Sequence, residues 1–249
     1  NILFRMEKGI AVCLFSSFFV LACVSHIPGE KAAVSNGDIP LKFTADIHEA
    51  TYTRVAGNGF EENDEVGVFA LVGSSTMKEE RYADNLRFFR TSEKVFESSE
   101  PIYYPDDEVT LRLISYYPYQ EEGVNMGEST MSVAVETDQN LSAGYFCSDF
   151  LVASQNLQSA PKGAIALHYD HKFFKLKIAL VGKEGEELQG ILDADPKLSV
   201  CGFYTKAIYD FQKETYSAFS NEKSITPAGK WEIQGDRLSG KEVILIPQE

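Results

Sequence analysis

Cys23 has the clearest chemical context in the chain. It follows Val20-Leu21-Ala22. Ahead of that lie Lys8 and an apolar run, 10–22, interrupted only by Ser16 and Ser17. A basic start, a short apolar run and a small residue at the cut site describe a secretory leader. The run is shorter than the roughly 20 apolar residues a bilayer span needs. A thiol directly after the small residue can carry a thioether-linked lipid. The expectation is a lipoprotein-type signal peptide over 1–22, cut before Cys23, with acyl chains on Cys23 fastening the protein to a membrane. The alternative is an ordinary leader with an incidental cysteine. Met6 is then the initiator, and 1–5 an upstream extension of the reading frame.

The remaining reactive side chains do not assemble into a known catalytic pattern. His168 and His171 are three apart, and on a strand residues three apart face opposite sides, so shared metal coordination is not expected. Asp193-Ala194-Asp195 and Asp106-Asp107-Glu108 offer hard oxygens for calcium but do not continue as an EF-hand loop. These acids, like Glu61-Glu62-Asn63-Asp64, read as solvated turns. There is no nucleophile elbow, phosphate-binding loop or dinucleotide fingerprint. The chain is therefore read as a non-enzyme with no cofactor and no metal. The tyrosines Tyr103, Tyr104, Tyr116, Tyr117 and Tyr119 could stack on sugars, with sheet packing as the bland alternative. Trp231 is given no special role. Paired carboxylates for a glycoside hydrolase exist in any chain this acidic, so an extracytoplasmic hydrolase stays open as a third function.

The formal charge is −14 over 249 residues. Losing Arg5, Lys8 and Glu7 with the leader makes it one unit more negative. Such a surface argues against nucleic acid and anionic headgroups, so membrane attachment must come from acyl chains. Cys147 and Cys201 are left outside the leader. They could pair in an oxidising compartment, but two buried free thiols is the default reading.

What must position these residues is a series of short strands. Residues 24–38 are small, polar and turn-rich, and 23–38 reads as a flexible tether. Strand patterns follow at 41–47, 65–72, 85–89, 94–96, 109–117, 131–135, 150–153, 164–167, 173–180, 199–204, 231–233 and 242–246, separated by Gly, Pro and Asn clusters. Only 207–214 suggests a helix. The fold class is all-β, with a domain over 39–160 and another over 161–249. The strand at 242–246 is followed by little chain, so the second domain is expected to be incomplete.

Three segments together resemble the fimbrillin family of Bacteroidia, the type V pilus subunits, in its Mfa-like branch. One is Tyr52-Thr53-Arg54-Val55-Ala56-Gly57-Asn58-Gly59-Phe60, running on through Asp64 to Phe69. The second is Ile102-Tyr103-Tyr104-Pro105 followed by the strand to Pro118-Tyr119. The third is Leu167-His168-Tyr169-Asp170-His171-Lys172-Phe173-Phe174. Leu245-Ile246-Pro247-Gln248 also resembles a second-domain motif. The resemblance implies tandem Greek-key, transthyretin-like β-sandwiches, export as a lipoprotein, display on the outer membrane through lipid on Cys23, and assembly into adhesive fimbriae at the cell surface. It further implies partners that are other pilus subunits joined by strand exchange, with host or bacterial surface ligands as adhesion targets. In stalk-type members a protease cuts after an arginine near the first strand, and a neighbour's strand fills the groove. Arg54 is the matching position here. The alternative function is a surface lipoprotein that binds glycans through aromatic side chains.

Overall fold

The computed structural model describes residues 35–48, 59–105, 109–161 and 163–248. In chain order the strands are β1 (Ser35–Pro40), β2 (Phe43–Ile47), β3 (Glu65–Val72), β4 (Ala83–Arg90), β5 (Phe96–Ser98), β6 (Tyr103–Pro105), β7 (Leu111–Tyr117), β8 (Thr130–Ala134), β9 (Leu151–Leu157), β10 (Ile165–His171), β11 (Phe174–Leu180), β12 (Tyr204–Asp210), β13 (Thr215–Glu222), β14 (Glu232–Gln234) and β15 (Arg237–Leu245). Two short helices, α1 (Ser142–Cys147) and α2 (Leu188–Asp193), interrupt them. The chain is all-β, as its pattern of short strands implies.

Seven strands close into a barrel in the order β10-β2-β5-β4-β3-β7-β9. Two three-stranded sheets, β11-β15-β14 and β13-β12-β8, and the β1-β6 pair complete the structure. The unbroken apolar run of β3 has a specific cause. Val66, Val68 and Ala70 point into the barrel, while Phe69 and Leu71 point the other way into a second core. β7 does the same, with Leu111 and Leu113 inside the barrel and Ile114 and Tyr116 outside it. On β9, Leu151 and Ala153 face the barrel and Val152 faces the second core. A strand buried on both faces loses polar alternation. The β3-β7-β9 wall thus serves two cores at once, the second closed by Met131 and Val133 of β8, Ala207 and Tyr209 of β12, and Val243 and Leu245 of β15.

The sheets do not partition at residue 160. β10 lies beyond it yet pairs with β2 and β9 in the barrel, and β8 lies before it yet pairs with β12. Ser35–Pro40 forms β1 against β6, where the sequence suggested tether. The helix suggested over 207–214 is β12 and a turn. Thr205, Ala207, Tyr209 and Phe211 are buried at every second position, and the Asp210 carboxylate accepts the backbone N–H groups of Gln212 and Lys213 at 2.9 and 3.3 Å. A period of two with a side-chain-closed turn is a hairpin signature, not a helical one. Cys147 and Cys201 are free, as the default reading had them, but both are exposed. The thiols sit at the end of α1 and in the loop before β12, where no core covers them.

Candidate functional site

β2 is held in the barrel mainly along one edge. Along one edge it pairs in parallel with β10, from Phe43 opposite Ile165 to Ile47 opposite Tyr169. Backbone bonds extend this seam at both ends, Ile165 N–H to Lys42 O at 2.9 Å and His48 N–H to Tyr169 O at 2.8 Å. Along the other edge only Phe43 pairs, with Phe96 of β5, supported by the Lys42–Glu97 ion pair at 2.6 Å. Its inward side chains nonetheless pack on the barrel core, Phe43 fully and Ala45 and Ile47 partly buried, with Leu41 just ahead of the strand buried as well. Leu41 and Phe43 are 3% and 0% exposed. Phe43 stacks on Phe96 at 5.0 Å and tilts against Phe88 at 5.2 Å. Phe60 stands edge-on to Phe96 and Tyr169. Below them the Tyr169 hydroxyl shares a hydrogen bond with Ser115, whose own oxygen lies 3.0 Å from the Gly67 carbonyl. Taking β2 out would open the barrel between β10 and β5 and wet this aromatic floor. Each large apolar side chain so exposed costs about 1.5–3 kcal/mol.

The outward face of the same seam carries four polar groups. Asp46 lies opposite His168, and one step on His48 reaches Asp170, Nδ1 to Oδ1 at 2.9 Å. The two imidazoles stack at 5.3 Å with planes 6° apart. His171 points elsewhere and meets Asp149 at 2.8 Å, so His168 and His171 do not converge. His48 was not singled out by the sequence, because its partner is 122 residues away. Among the described residues no group of three or more His, Cys, Asp or Glu is arranged to hold a metal, and no helix is long and apolar enough to cross a membrane.

The five tyrosines do not gather into one platform. Tyr104 belongs to the barrel core and Tyr116 to the second core, both buried. Tyr117 packs against the barrel core with its hydroxyl toward Asp64. Burial raises the Asp64 carboxyl above its ordinary value, against the lowering effect of its bond to Glu61 N–H. Trp231 is buried, its indole N–H donating to Pro196 O at 2.8 Å. Asp193 and Asp195 are solvated as expected, Asp195 pairing with Lys197. Cys23, Arg54 and Asp106-Asp107-Glu108 lie outside the described residues. In sequence, Arg54 falls between β2 and Phe60, so a cut after it would separate β1 and β2 covalently from the remainder of the chain.

Residues 53–249 match the sequence profile of the Fimbrillin-like family. A candidate fimbrium subunit of Bacteroides uniformis, Fim1C, is 23% identical over 214 residues, covering 82% of this chain and 65% of that protein. The chain thus spans just under two thirds of that relative's length. Among solved structures, a candidate cell adhesion protein from Bacteroides ovatus superposes with a TM-score of 0.57 at 16% identity, covering 84% of this chain and 78% of its own. Another from Bacteroides uniformis gives 0.55 at 19% identity, with 84% and 74% covered. These likenesses establish a shared β fold, and with the profile match across most of the sequence the chain belongs to the fimbrillin-like family.

Proposed function

We propose that this protein is a structural, adhesive component of a bacterial surface pilus, and that subunits join by β-strand addition. In this reading it is exported by its leader and held at the outer membrane through lipid on Cys23 until it is assembled. The observation that carries the assembly step is the seating of β2. It has one full parallel seam, one nearly unpaired edge, and alternating apolar side chains of which Phe43 is buried and Ala45 and Ile47 partly so. Those are the properties of a strand that another strand of like pattern can replace. Main-chain bonds to β10 would supply affinity, and the pockets of Leu41 and Phe43 would fix the register. While β2 is in place it covers an edge that would otherwise invite aggregation.

A cut after Arg54 is the proposed trigger. It leaves β1 and β2 attached by noncovalent contacts alone and lets a neighbour's strand compete for the groove. N-terminal sequencing of protein sheared from the cell surface tests this. A start at Val55 in filaments, and loss of filaments in Arg54→Ala, are expected. Filaments whose subunits begin only at Cys23 would remove the cleavage step. Electron microscopy showing unchanged filaments in cells lacking the protein would remove the pilus reading altogether.

A further inference from the structure

The geometry points to a proton-sensitive latch on the β2–β10 seam, formed by Asp46, His48, His168 and Asp170. The inference rests on the reading of β2 as the exchangeable strand and names how its release is regulated. Parallel register and the two-residue period place all four side chains on the outer face of the seam. Asp46 faces His168, Nδ1 to Oδ2 at 3.8 Å, and Asp170 faces His48 at 2.9 Å. The order along β2 is acid then imidazole, and along β10 it is imidazole then acid. The result is a checkerboard. With both imidazoles protonated, each charge has an opposite charge across the seam and another two residues along its own strand. Only the diagonals are alike, and one of those is the stacked imidazole pair. With both imidazoles neutral, the cross-seam charge attraction is gone and two carboxylates remain.

Histidine is the side chain whose charge ordinarily changes between about pH 5 and 8. Acid therefore tightens the seam and mild alkali loosens it. The side chains are half exposed or more, with values of 63%, 56%, 50% and 73% for His48, Asp170, His168 and Asp46. The ladder is thus open to solvent protons and does not depend on unfolding. Among the described residues, the other charged groups flanking the seam have partners. Lys42 meets Glu97 on the β5 side, His171 meets Asp149, and Lys172 meets Glu214 on the far side of β10. The His171 bond ties β10 to the segment before β9 and not to β2.

Hydrogen exchange of the backbone amides of residues 43–48 in the intact chain tests the latch. Corrected for intrinsic rates, their protection should be roughly fourfold greater near pH 5.5 than near pH 8, the ratio two weak exposed ion pairs supply together. The difference should vanish in the His48→Asn/His168→Asn double variant and in about 1 M salt, where screening acts within about 3 Å. It should persist in His171→Asn, and β3 amides should show none of it. Equal protection at the two pH values, or a dependence that survives the double variant, overturns the proposal. The measurement does not involve filaments. Uncut subunits in a pilus would therefore overturn the cleavage reading while leaving the exchange result as it stands.

Discussion

Arg81 has a buried side chain whose five N–H donors all find acceptors. Nε donates to Met77 O at 2.9 Å, Nη1 to Val124 O at 2.7 Å and to the Asp84 carboxylate, and Nη2 to Asn125 O and Glu128 O, each at 2.9 Å. The guanidinium also lies over the Phe69 ring. One side chain thus fixes the loop before β4 to the loop between β7 and β8. Its planar fork is what matches carbonyls from several directions, and an ammonium with three donors cannot do the same. Arg81→Met should lower unfolding stability by about 3 kcal/mol, because it strands buried carbonyls and leaves Asp84 unpaired. Arg81→Lys should recover little of that. Urea denaturation of both variants checks the pair. An Arg81→Lys midpoint equal to that of the parent would show that charge, not the fork, is what the site needs. None of this was legible in the sequence, where Arg81 is one arginine among acids, since three of its five acceptors are main-chain carbonyls more than 40 residues away.

Among elements, β15 shows how an edge can be closed without a strand. Its far edge at Ile244 is met by a side chain. The Gln139 amide accepts from Ile244 N–H and donates to Ile244 O, both at 2.8 Å, and is fully buried. Gln139→Leu keeps the volume and removes both bonds, so stability should fall by about 2 kcal/mol. Thermal or urea unfolding measures it, and a change within error would mean that water replaces the amide. How far the elements could be read in advance follows from their regularity. β3 was found with its observed bounds because a run buried on both faces needs no partner to be visible. β11 was found from clean alternation, and β10 only in its first residues, by the candidate at 164–167. β13 was not, because Ala218 and Asn221 take positive φ and the pairing with β12 shifts register between Lys206 and Ile208. That irregularity lets Tyr216 and Phe219, three apart, both pack on the second core. The β2–β10 seam was hidden for another reason. Each strand was legible alone, but a parallel pairing across some 120 residues leaves no local trace, and His48 gains meaning only from it.

At the scale of the whole molecule, the phenols are the buried ionisable groups that set behaviour in alkali. Burial pushes Tyr116 up to about 12, and it also pushes Tyr104, Tyr117, Tyr145, Tyr169, Tyr209 and Tyr216 well above the ordinary tyrosine range. A group whose folded value exceeds its unfolded value of about 10 contributes stability that is intact below pH 10 and is lost as pH rises through the folded value. These phenols are spread over both cores, so phenolate absorbance should lag behind that of the free side chain and then rise together with loss of structure between about pH 10 and 12. Smooth ionisation near pH 10 in the folded protein would contradict their burial.

The wall made by β3, β7 and β9 has a mechanical corollary. Because opposite sides of the same strands line separate interiors, the described residues place no hinge between those interiors. Tension applied near β2 would run through continuous hydrogen-bonded ribbon into the body closed by β15. Under the assembly proposed above, each subunit would pass a pull to its neighbour as a stiff link rather than as beads on a string.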